Sequence, residues 1–541
     1  MLNARPIVAV FAVLILCTNA GLGQDVEPAE TNPSIEEAVV ELGEAAEDAA
    51  ADSTEAEADD SLTGRIDAAF GIIVGHMSTV LFWQPIAAFP VPLIVLVLLL
   101  GSVFFTVFHG WLNFRGFRHA IDVTRGRYDN PDDPGEISHF QALTSALSAT
   151  VGLGNIAGVA VAIQLGGPGA VVWMILIGLF GMTAKFNECT LAQVYRSIKP
   201  DGTVHGGPMY YLEIGLQERG LPWVIAKAFG LVFALFCIGG SFGGGNMFQA
   251  NQATSAIRGT LDQYAGVSVA GQDWIVGGVL AFLVALVIIG GIKRIGQVTE
   301  KIIPLMCAIY VLGGLVVLAL HAGQIPAAMQ LILTSSVAPD AAFGGFVGVM
   351  VQGIRRAVFS NEAGVGSAAI AHAAAKTDEP VREGVVAMLG PFIDTVVICT
   401  MTALVVIVTG AYANPDAGEG VEMTRWAFQS KLAWFPIILN VSVFLFAYST
   451  MISWSYYGEK AWQYIFGQSA AVVMSYRVLF LMFVVLGAIA SLENVIGFSD
   501  LMILSMAFPN VIGGIILAPR VKALLDDYWI RYRNNEFKTY S

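Results

Sequence analysis

Apolar residues dominate the chain after position 90, where they are grouped in runs of about 20 residues separated by short polar segments. A helical run of that length crosses a hydrocarbon core of roughly 30 Å. The pattern predicts an all-α polytopic membrane protein. We place eleven spans near 91–109, 141–164, 167–195, 222–254, 274–292, 297–320, 343–374, 385–411, 433–457, 471–490 and 495–518.

The N-terminus has the pattern of a secretory signal. Arg5 precedes the apolar run PIVAVFAVLILC, and small residues follow it. This order is typical of a signal peptide, which we predict over 1–23 with cleavage near Ala20 or Gly23. An uncleaved anchor is the alternative interpretation.

An acidic segment comes next. From Asp25 to Asp60 there are 14 acidic residues and no Lys or Arg, so 24–64 is predicted to be a disordered tail outside the membrane. These acids account for the formal net charge of −14, which therefore says nothing about a substrate. The whole chain is 56% hydrophobic and 13% charged, with mean hydropathy +0.68, which is the composition of a membrane protein.

Charge around the spans predicts the orientation. If the N-terminus is outside, 20 Lys and Arg residues fall on the cytoplasmic side and only Arg65, Arg258, Arg425 and Lys431 fall outside. The C-terminus is then inside. The parts that we expect after the acidic tail are an amphipathic interfacial segment (65–90), a transmembrane domain (91–518) and a cytoplasmic tail (519–541).

Two predicted spans are interrupted by glycine and polar residues. Residues 145–160 read SALSATVGLGNIAGVA, and residues 357–375 read AVFSNEAGVGSAAIAHAAA. The candidate break residues are Gly152, Gly154, Asn155, Ser360, Asn361, Glu362, Gly364 and Gly366. Non-helical backbone persists in hydrocarbon only where protein, ion or ligand satisfies its polar groups. The alternative is that Gly154 and Gly158, a GxxxG pair, serve helix packing alone.

The interruptions occupy corresponding positions in two halves of the chain. Without the first span, ten spans remain, and we divide them into inverted repeats of five, about 141–320 and 343–518. Each repeat then opens with its interrupted span. Broken helices at matching positions of two repeats predict a binding site near the middle of the membrane.

The break in the first repeat offers two kinds of ligand. Unwinding at Gly152 and Gly154 frees N–H groups for a carboxylate, whereas carbonyls around Ser148 and Val151 point at a cation. Adjacent hydroxyls, such as those of Ser449 and Thr450, suit the oxygen shell of a hard cation.

Several long motifs carry a resemblance to a known family. They are ATVGLGNIAGVA (149–160), GGPMYYLE (206–213), NMFQANQ (246–252), FSNEAGVGSAAIAHAAAKT (359–377) and YSTMISWSYYGEKA (448–461). Over roughly 90–520 the chain resembles the alanine/glycine:cation symporters, which are sodium:alanine carriers with the leucine-transporter (LeuT) fold. The resemblance implies a LeuT-like 5+5 inverted repeat with one extra N-terminal helix.

The resemblance also implies a set of site residues. The backbone of Leu153 and Gly154 would bind the substrate carboxylate, and Gln249, Phe359, Thr450 and Trp454 would shape the pocket. The cation would be Na⁺, or less often H⁺, and Na⁺ would be held by Ser148, Val151, Phe446, Ser449 and Thr450. Many family members have Thr where this chain has Leu153, so no side-chain hydroxyl is available there.

Some of these residues have rival interpretations. Trp454 lies one helical turn after Thr450 and either caps the pocket or is an interfacial aromatic near the cytoplasmic end. Phe359 is interpreted as a pocket residue, with ordinary packing as the alternative. Glu362 either satisfies backbone at the break or takes part in coupling.

Other charged residues inside the predicted spans are functional candidates by default. Asp394 is one of them. Arg355 and Arg356 are interpreted either as part of an ion-paired gate or as residues of a vestibule. Lys185 and Glu188, spaced i, i+3, predict an intrahelical pair near the cytoplasmic face.

Two further features lie on the predicted cytoplasmic side. His372 is a weak candidate for proton coupling, and GGPMYYLE predicts a short helix against the bundle.

We therefore expect a secondary active symporter in the inner membrane that couples Na⁺ to uptake of alanine or glycine. A transporter of another small amino acid, or a substrate-gated channel or sensor, is the alternative. No metal or nucleophile motif indicates an enzyme. We expect Na⁺ as coupling ion without an organic cofactor, a small neutral amino acid and membrane lipid as partners, and no nucleic acid. The oligomeric state is left open.

Overall fold

The computed structural model describes Gly71, Gly75, Ser78, Thr79, 82–85, 91–261, 271–337, 345–430 and 435–540, with the side chains of 435–437 excepted. The predicted signal peptide and acidic tail lie outside these residues.

The described part of the chain is built almost entirely of helices. The α-helices are α1 (Leu93–Phe108), α2 (Leu112–Arg115), α3 (Phe117–Thr124), α4 (His139–Thr150), α5 (Ala157–Gly166), α6 (Ala170–Val194), α7 (Pro208–Glu218), α8 (Trp223–Phe242), α9 (Phe248–Thr260), α10 (Asp273–Ile288), α11 (Gly291–Leu320), α12 (Ile325–Ser335), α13 (Gly345–Asn361), α14 (Ala368–His372), α15 (Pro380–Ala387), α16 (Leu389–Pro391), α17 (Thr400–Val408), α18 (Val421–Gln429), α19 (Phe435–Phe466), α20 (Ala470–Ile489), α21 (Leu492–Ser505) and α22 (Ala507–Arg533). The π-helices are Gly243–Met247 and Phe392–Cys399, and the 3₁₀ turns are Leu153–Asn155, Ala322–Gln324, Ala411–Ala413 and Pro415–Ala417. β1 (Ser197–Ile198) and β2 (Val204–His205) pair as an antiparallel hairpin.

Seven described helical segments are long and apolar enough to cross a membrane. They are Ala170–Val194, Trp223–Thr260, Gly291–Leu320, Pro380–Val408, Ile438–Phe466, Ala470–Ile489 and Leu492–Arg533. The interrupted pair His139–Thr150 and Leu153–Gly166 adds an eighth candidate. The shorter apolar helices α1 and α10 coincide with the predicted spans 91–109 and 274–292. A multi-pass architecture is thus present, whereas the count of eleven spans stays a prediction.

The first interrupted helix begins and ends for local reasons. Ser138 caps α4, since its hydroxyl accepts the N–H of Gln141 while the Gln141 side chain accepts the N–H of Ser138, each at 3.2 Å. The helical bonding then stops after Thr150, where Val151 adopts ψ 83°. The helical segments before and after this break are bent by 56° relative to each other.

The two interrupted helices meet in the interior of the bundle. α4 packs against α11 and α19, and α5 packs against α13. A Cβ built on Gly154 would lie 3.3 Å from the Cα of Ser360, so backbone from one break is in contact with the other.

The GGPMYYLE segment forms a helix, as predicted. Gly207 has φ +110° and precedes Pro208, the first residue of α7. α7 packs against α8, α6 and α22. The last helix, α22, runs to Arg533, beyond the end that we expect for the last span.

Candidate functional site

The break of the first interrupted helix is held by side chains. The N–H of Gly152 donates to the Thr150 carbonyl and to Oδ1 of Asn155, both at 2.9 Å. The N–H of Leu153 donates to Oε1 of Gln249 at 3.1 Å. A Cβ on Gly152 would lie 2.4 Å from Oγ1 of Thr450, which explains why glycine occupies this position.

The predicted cation ligands come together where α4 meets α19. Oγ1 of Thr450 donates to the Ser148 carbonyl at 3.0 Å, and the Ser148 hydroxyl donates to the Ser449 carbonyl at 2.7 Å. The Ser449 hydroxyl donates to the Phe446 carbonyl at 3.1 Å. Val151 is buried just beyond the end of α4. The cluster offers hydroxyl and carbonyl oxygens, the donors that hard cations prefer.

The break of the second interrupted helix has backbone that favours glycine. After Asn361, the last residue of α13, Glu362 has φ +56°, Gly364 +81° and Gly366 +94°. The left-handed region is costly for a residue such as Glu362, so surrounding contacts must hold it there. Oδ1 of Asn361 accepts the N–H of Ala363 at 2.9 Å and satisfies one backbone donor freed by the break.

Glu362 is bonded at both of its carboxylate oxygens. Nε1 of Trp454 donates to Oε1 at 2.9 Å, and the Ser367 hydroxyl donates to Oε2. The Gly364 carbonyl accepts from Nδ2 of Asn510 at 2.8 Å. Side chains from α19 and α22 thereby support the second break. Among the described residues, the partners of the Glu362 carboxylate are side chains and not backbone N–H groups, so its role in satisfying freed backbone stays a prediction.

Asp394, in the π-helix Phe392–Cys399, connects the two breaks. Its Oδ1 accepts from Nδ2 of Asn155 at 2.6 Å and from Oγ of Ser360 at 3.1 Å. Its Oδ2 accepts from Oγ1 of Thr395 at 2.7 Å, and that hydroxyl accepts from Nδ2 of Asn361 at 2.9 Å. All five side chains are buried. One carboxylate therefore fixes the position of the first break relative to the second.

The predicted pocket residues surround the π-helix Gly243–Met247. Nε2 of Gln249 donates to the Gly244 carbonyl at 2.8 Å, so this side chain bridges the π-helix and the first break. The Phe359 ring contacts the Phe248 ring edge-on at 5.2 Å. Trp454 is 1% exposed and lies so close to Gly245 that a Cβ there would be 2.3 Å away. The interfacial interpretation of Trp454 is therefore wrong.

The predicted pair of Lys185 and Glu188 does not form. Oε2 of Glu188 accepts instead from Nδ2 of Asn510 at 2.9 Å. Among the described residues, Lys185 Nζ and Glu188 Oε1 are buried without a hydrogen-bond partner. Both side chains lie inside the bundle, where they are 1% and 3% exposed. There, contacts with other helices decide the partner of Glu188, and the spacing of the two residues along one helix does not.

Side-chain contacts of charged or titratable groups flank the breaks on two sides. Arg355 donates to Oδ2 of Asp500 at 2.8 Å, and Arg356 pairs with the same oxygen. At the other end of the bundle, Glu383 bridges two histidines, since Nδ1 of His372 lies 2.5 Å from its Oε1 and Nδ1 of His139 contacts its Oε2.

Backbone bonds reinforce the contacts at the histidine end. The N–H groups of Glu136 and Ile137 donate to the Ala374 carbonyl at 2.8 and 3.2 Å, and Lys376 donates to the Ile137 carbonyl at 2.8 Å. The segment before the first interrupted helix is thus bonded to the segment after the second.

Three partners were not predicted from the sequence, namely Glu383, Asp500 and Asn510. Asp394 was recognised only as a charged residue in a span. Their contacts depend on helices far apart in sequence. Asp394, Asp500 and Asn510 are polar residues within predicted spans, a signal that marks the residue but does not identify its partner. Glu383 lies in the polar segment 378–383 and has no such signal.

Comparison with known proteins agrees with the resemblance. The profile of the sodium:alanine symporter family matches residues 77–540. The sodium/alanine symporter AgcS of Methanococcus maripaludis is 42% identical over 428 residues, which are 78% of this chain and 91% of that protein. Amino-acid carrier protein AlsT of Bacillus subtilis is 35% identical over 79% of this chain and 87% of its own length.

A solved structure has a similar fold. The crystal structure of MhsT in complex with L-phenylalanine aligns with a TM-score of 0.53 at 16% identity, over 71% of this chain and 89% of MhsT. At that identity the likeness concerns the fold alone, and it confirms the predicted LeuT-like fold.

Gly152→Ala should destabilise the protein, because the added Cβ would meet Thr450 Oγ1 at 2.4 Å in a packed interior. The expected cost is about 1–3 kcal/mol, seen as a lower melting temperature of the purified protein in detergent. Gly158→Ala is the matched control, since nothing lies within 4 Å of a Cβ at that position. Equal melting temperatures for both variants would contradict the close approach.

Asp394→Asn should also destabilise the protein. Asparagine carries no charge and has one acceptor oxygen in place of two. The buried bonds to Asp394 would therefore lose their charge assistance, at a cost of about 1–3 kcal/mol. The same melting measurement checks it, with the exposed Asp416→Asn as control. An Asp394→Asn variant as stable as that control would show that the bonds to both breaks contribute little.

Proposed function

The chain belongs to the sodium:alanine symporter family, which is a family of transporters and not of enzymes, and we propose that it carries alanine or glycine into the cell together with Na⁺ by alternating access. The observation that supports this most strongly is the position of Thr450. Its hydroxyl donates to the Ser148 carbonyl at 3.0 Å and also lies against Gly152, beside the N–H groups of the break.

The substrate carboxylate is proposed to bind the N–H groups of Leu153 and Gly154. The Leu153 N–H already donates to a side-chain oxygen, Oε1 of Gln249. A carboxylate oxygen is the same kind of acceptor, carries more charge and makes the stronger bond. We propose that the substrate displaces Gln249 Oε1 from this N–H, and that Phe359 and Trp454 limit the size of the substrate side chain.

Na⁺ is proposed to bind the oxygens of Ser148, Val151, Phe446, Ser449 and Thr450. The hydroxyls of Ser449 and Thr450 now donate to carbonyls that would become ligands, so the oxygens are already close together. An ion there would order α4 and the end of the break at once. Since ordering one site assists the other, the affinities for Na⁺ and substrate rise together and by the same factor.

Alternating access requires closing contacts on both sides of the site. We propose that the Arg355 and Arg356 pairs with Asp500 close the outer side, and that Glu383 with His139 and His372 closes the cytoplasmic side. The assignment of sides follows the predicted orientation, with the N-terminus outside and the C-terminus in the cytoplasm. The location is proposed to be the inner membrane.

H⁺ is a second candidate coupling ion. A cluster of buried charged residues, Lys185, Glu188 and Glu362, supports it. Lys185 and Glu188 are buried inside the bundle with polar atoms that no described residue satisfies. Glu362 is close enough to interact electrostatically with both. A proton on the carboxylate of Glu188 or Glu362 would remove a buried negative charge and so relieve the cost of burying it.

Counterflow in proteoliposomes tests the proposed function. We expect labelled alanine to exchange only when Na⁺ is present, glycine to compete, and replacement of Na⁺ by choline to stop exchange. Exchange that persists in choline and follows an imposed pH gradient would favour H⁺. Alanine exchange that saturates with substrate but depends on neither cation would contradict coupled transport.

Thr450→Ala should sharply weaken Na⁺ activation, because it removes a proposed ligand and the hydroxyl that joins the two sites. Loss of one ligand oxygen should raise the Na⁺ concentration for half-maximal uptake roughly 10-fold or more, which corresponds to about 1.4 kcal/mol of Na⁺ affinity or more. Thr450→Ser keeps the hydroxyl and serves as control. Wild-type Na⁺ activation in the alanine variant would refute the proposed role.

A further inference from the structure

An apolar groove lies beside α4, the part of the first interrupted helix that precedes the break. It encloses about 310 Å³ between α3, α4, α11 and the segment 389–393. Leu143 and Leu147 form part of its floor and are 3% and 5% exposed. Phe140 is 39% exposed and Pro304 is also exposed, so the groove opens on the outer surface of the bundle.

The two threonine hydroxyls that line the groove bond to carbonyls of their own helices. The Thr124 hydroxyl donates to the Ala120 carbonyl at 2.8 Å, and the Thr144 hydroxyl donates to the Gln141 carbonyl at 3.2 Å. Both bonds lie within their own helical turns. A bound water needs two to four polar partners, which these side chains do not provide. The groove therefore suits an apolar occupant.

A cationic edge bounds the groove. Arg125, at the end of α3, lines the groove, is exposed and makes no hydrogen bond or ion pair with its side chain among the described residues. Arg118 is also exposed and lies on the same face of α3, seven residues earlier. Trp111 and Phe114 are 47% and 62% exposed, as expected of aromatic residues at the level of lipid headgroups.

We propose that the groove binds one acyl chain of an anionic phospholipid, whose phosphate pairs with Arg125. Apolar lining and an unpaired cation at the edge match the two ends of such a lipid. The assignment to the cytoplasmic leaflet, where anionic lipids attract basic segments, rests on the proposed orientation.

The position of the groove gives this lipid a role in the proposed transport cycle. α4 carries Ser148 and the first break, and it packs against α11, which forms the opposite wall of the groove. An acyl chain between them adds packing contacts to α4 in the arrangement that the structure shows. Anionic phospholipid should therefore slow the departure of α4 from α11.

Photo-crosslinking tests the binding directly. Phosphatidylglycerol with a diazirine on one acyl chain is added to the purified full chain in detergent, without Na⁺ or alanine, and labelled peptides are identified by mass spectrometry. We expect adducts within 140–147 or 303–307. Arg125→Gln should weaken labelling about fivefold in apparent affinity. Leu143→Trp, which fills the groove, should abolish these adducts.

Arg127→Gln is the matched control, because Arg127 does not line the groove and already lies 3.8 Å from Asp122. Unlabelled phosphatidylglycerol should compete better than phosphatidylethanolamine or oleate. Equal labelling of the Arg125→Gln and Arg127→Gln variants would overturn the headgroup assignment. Adducts elsewhere, stronger competition by oleate, or two copies cross-linked at the groove would overturn the phospholipid as occupant. The absence of Na⁺ and substrate makes the result independent of the proposed transport function.

Discussion

Backbone groups that leave a helix inside a membrane must find partners there, and this requirement organises the centre of the molecule. Each unsatisfied group would cost several kcal/mol in hydrocarbon. Asn155 and Gln249 accept N–H groups at the first break, and Asn361 accepts one at the second. Asn510 donates to a carbonyl at the second break. The breaks are stable because other helices, together with side chains of the breaks themselves, replace the missing helical bonds.

The same contacts make the breaks interdependent. Asp394 accepts from Asn155 at one break and from Ser360 at the other, so neither break shifts without disturbing this carboxylate. Gln249 joins the first break to a π-helix, where the backbone is also irregular. On this basis the site is a connected polar network inside an apolar bundle, and an ion or substrate that replaces one bond alters the others.

The sequence predicted the location of the breaks better than their partners. Glycine and polar residues within apolar runs mark both breaks, and adjacent hydroxyls mark Ser449 and Thr450, because these signals are local. The LeuT-like fold followed from the motifs. The pair of Lys185 and Glu188 was expected from helical spacing and is wrong, since Glu188 bonds Asn510 from a distant helix. Asp394 was recognised as a charged residue in a span, but its bonds to both breaks depend on how three helices pack.

A structure determined with Na⁺ and alanine bound would show whether the two breaks hold both ligands. We expect both breaks to persist, the alanine carboxylate to accept from the N–H groups of Leu153 and Gly154, and Na⁺ to lie among oxygens of Ser148, Ser449 and Thr450. Gln249 should no longer accept from Leu153. Alanine bound elsewhere, with the bond between Leu153 and Gln249 intact, would show that the first break does not bind the substrate.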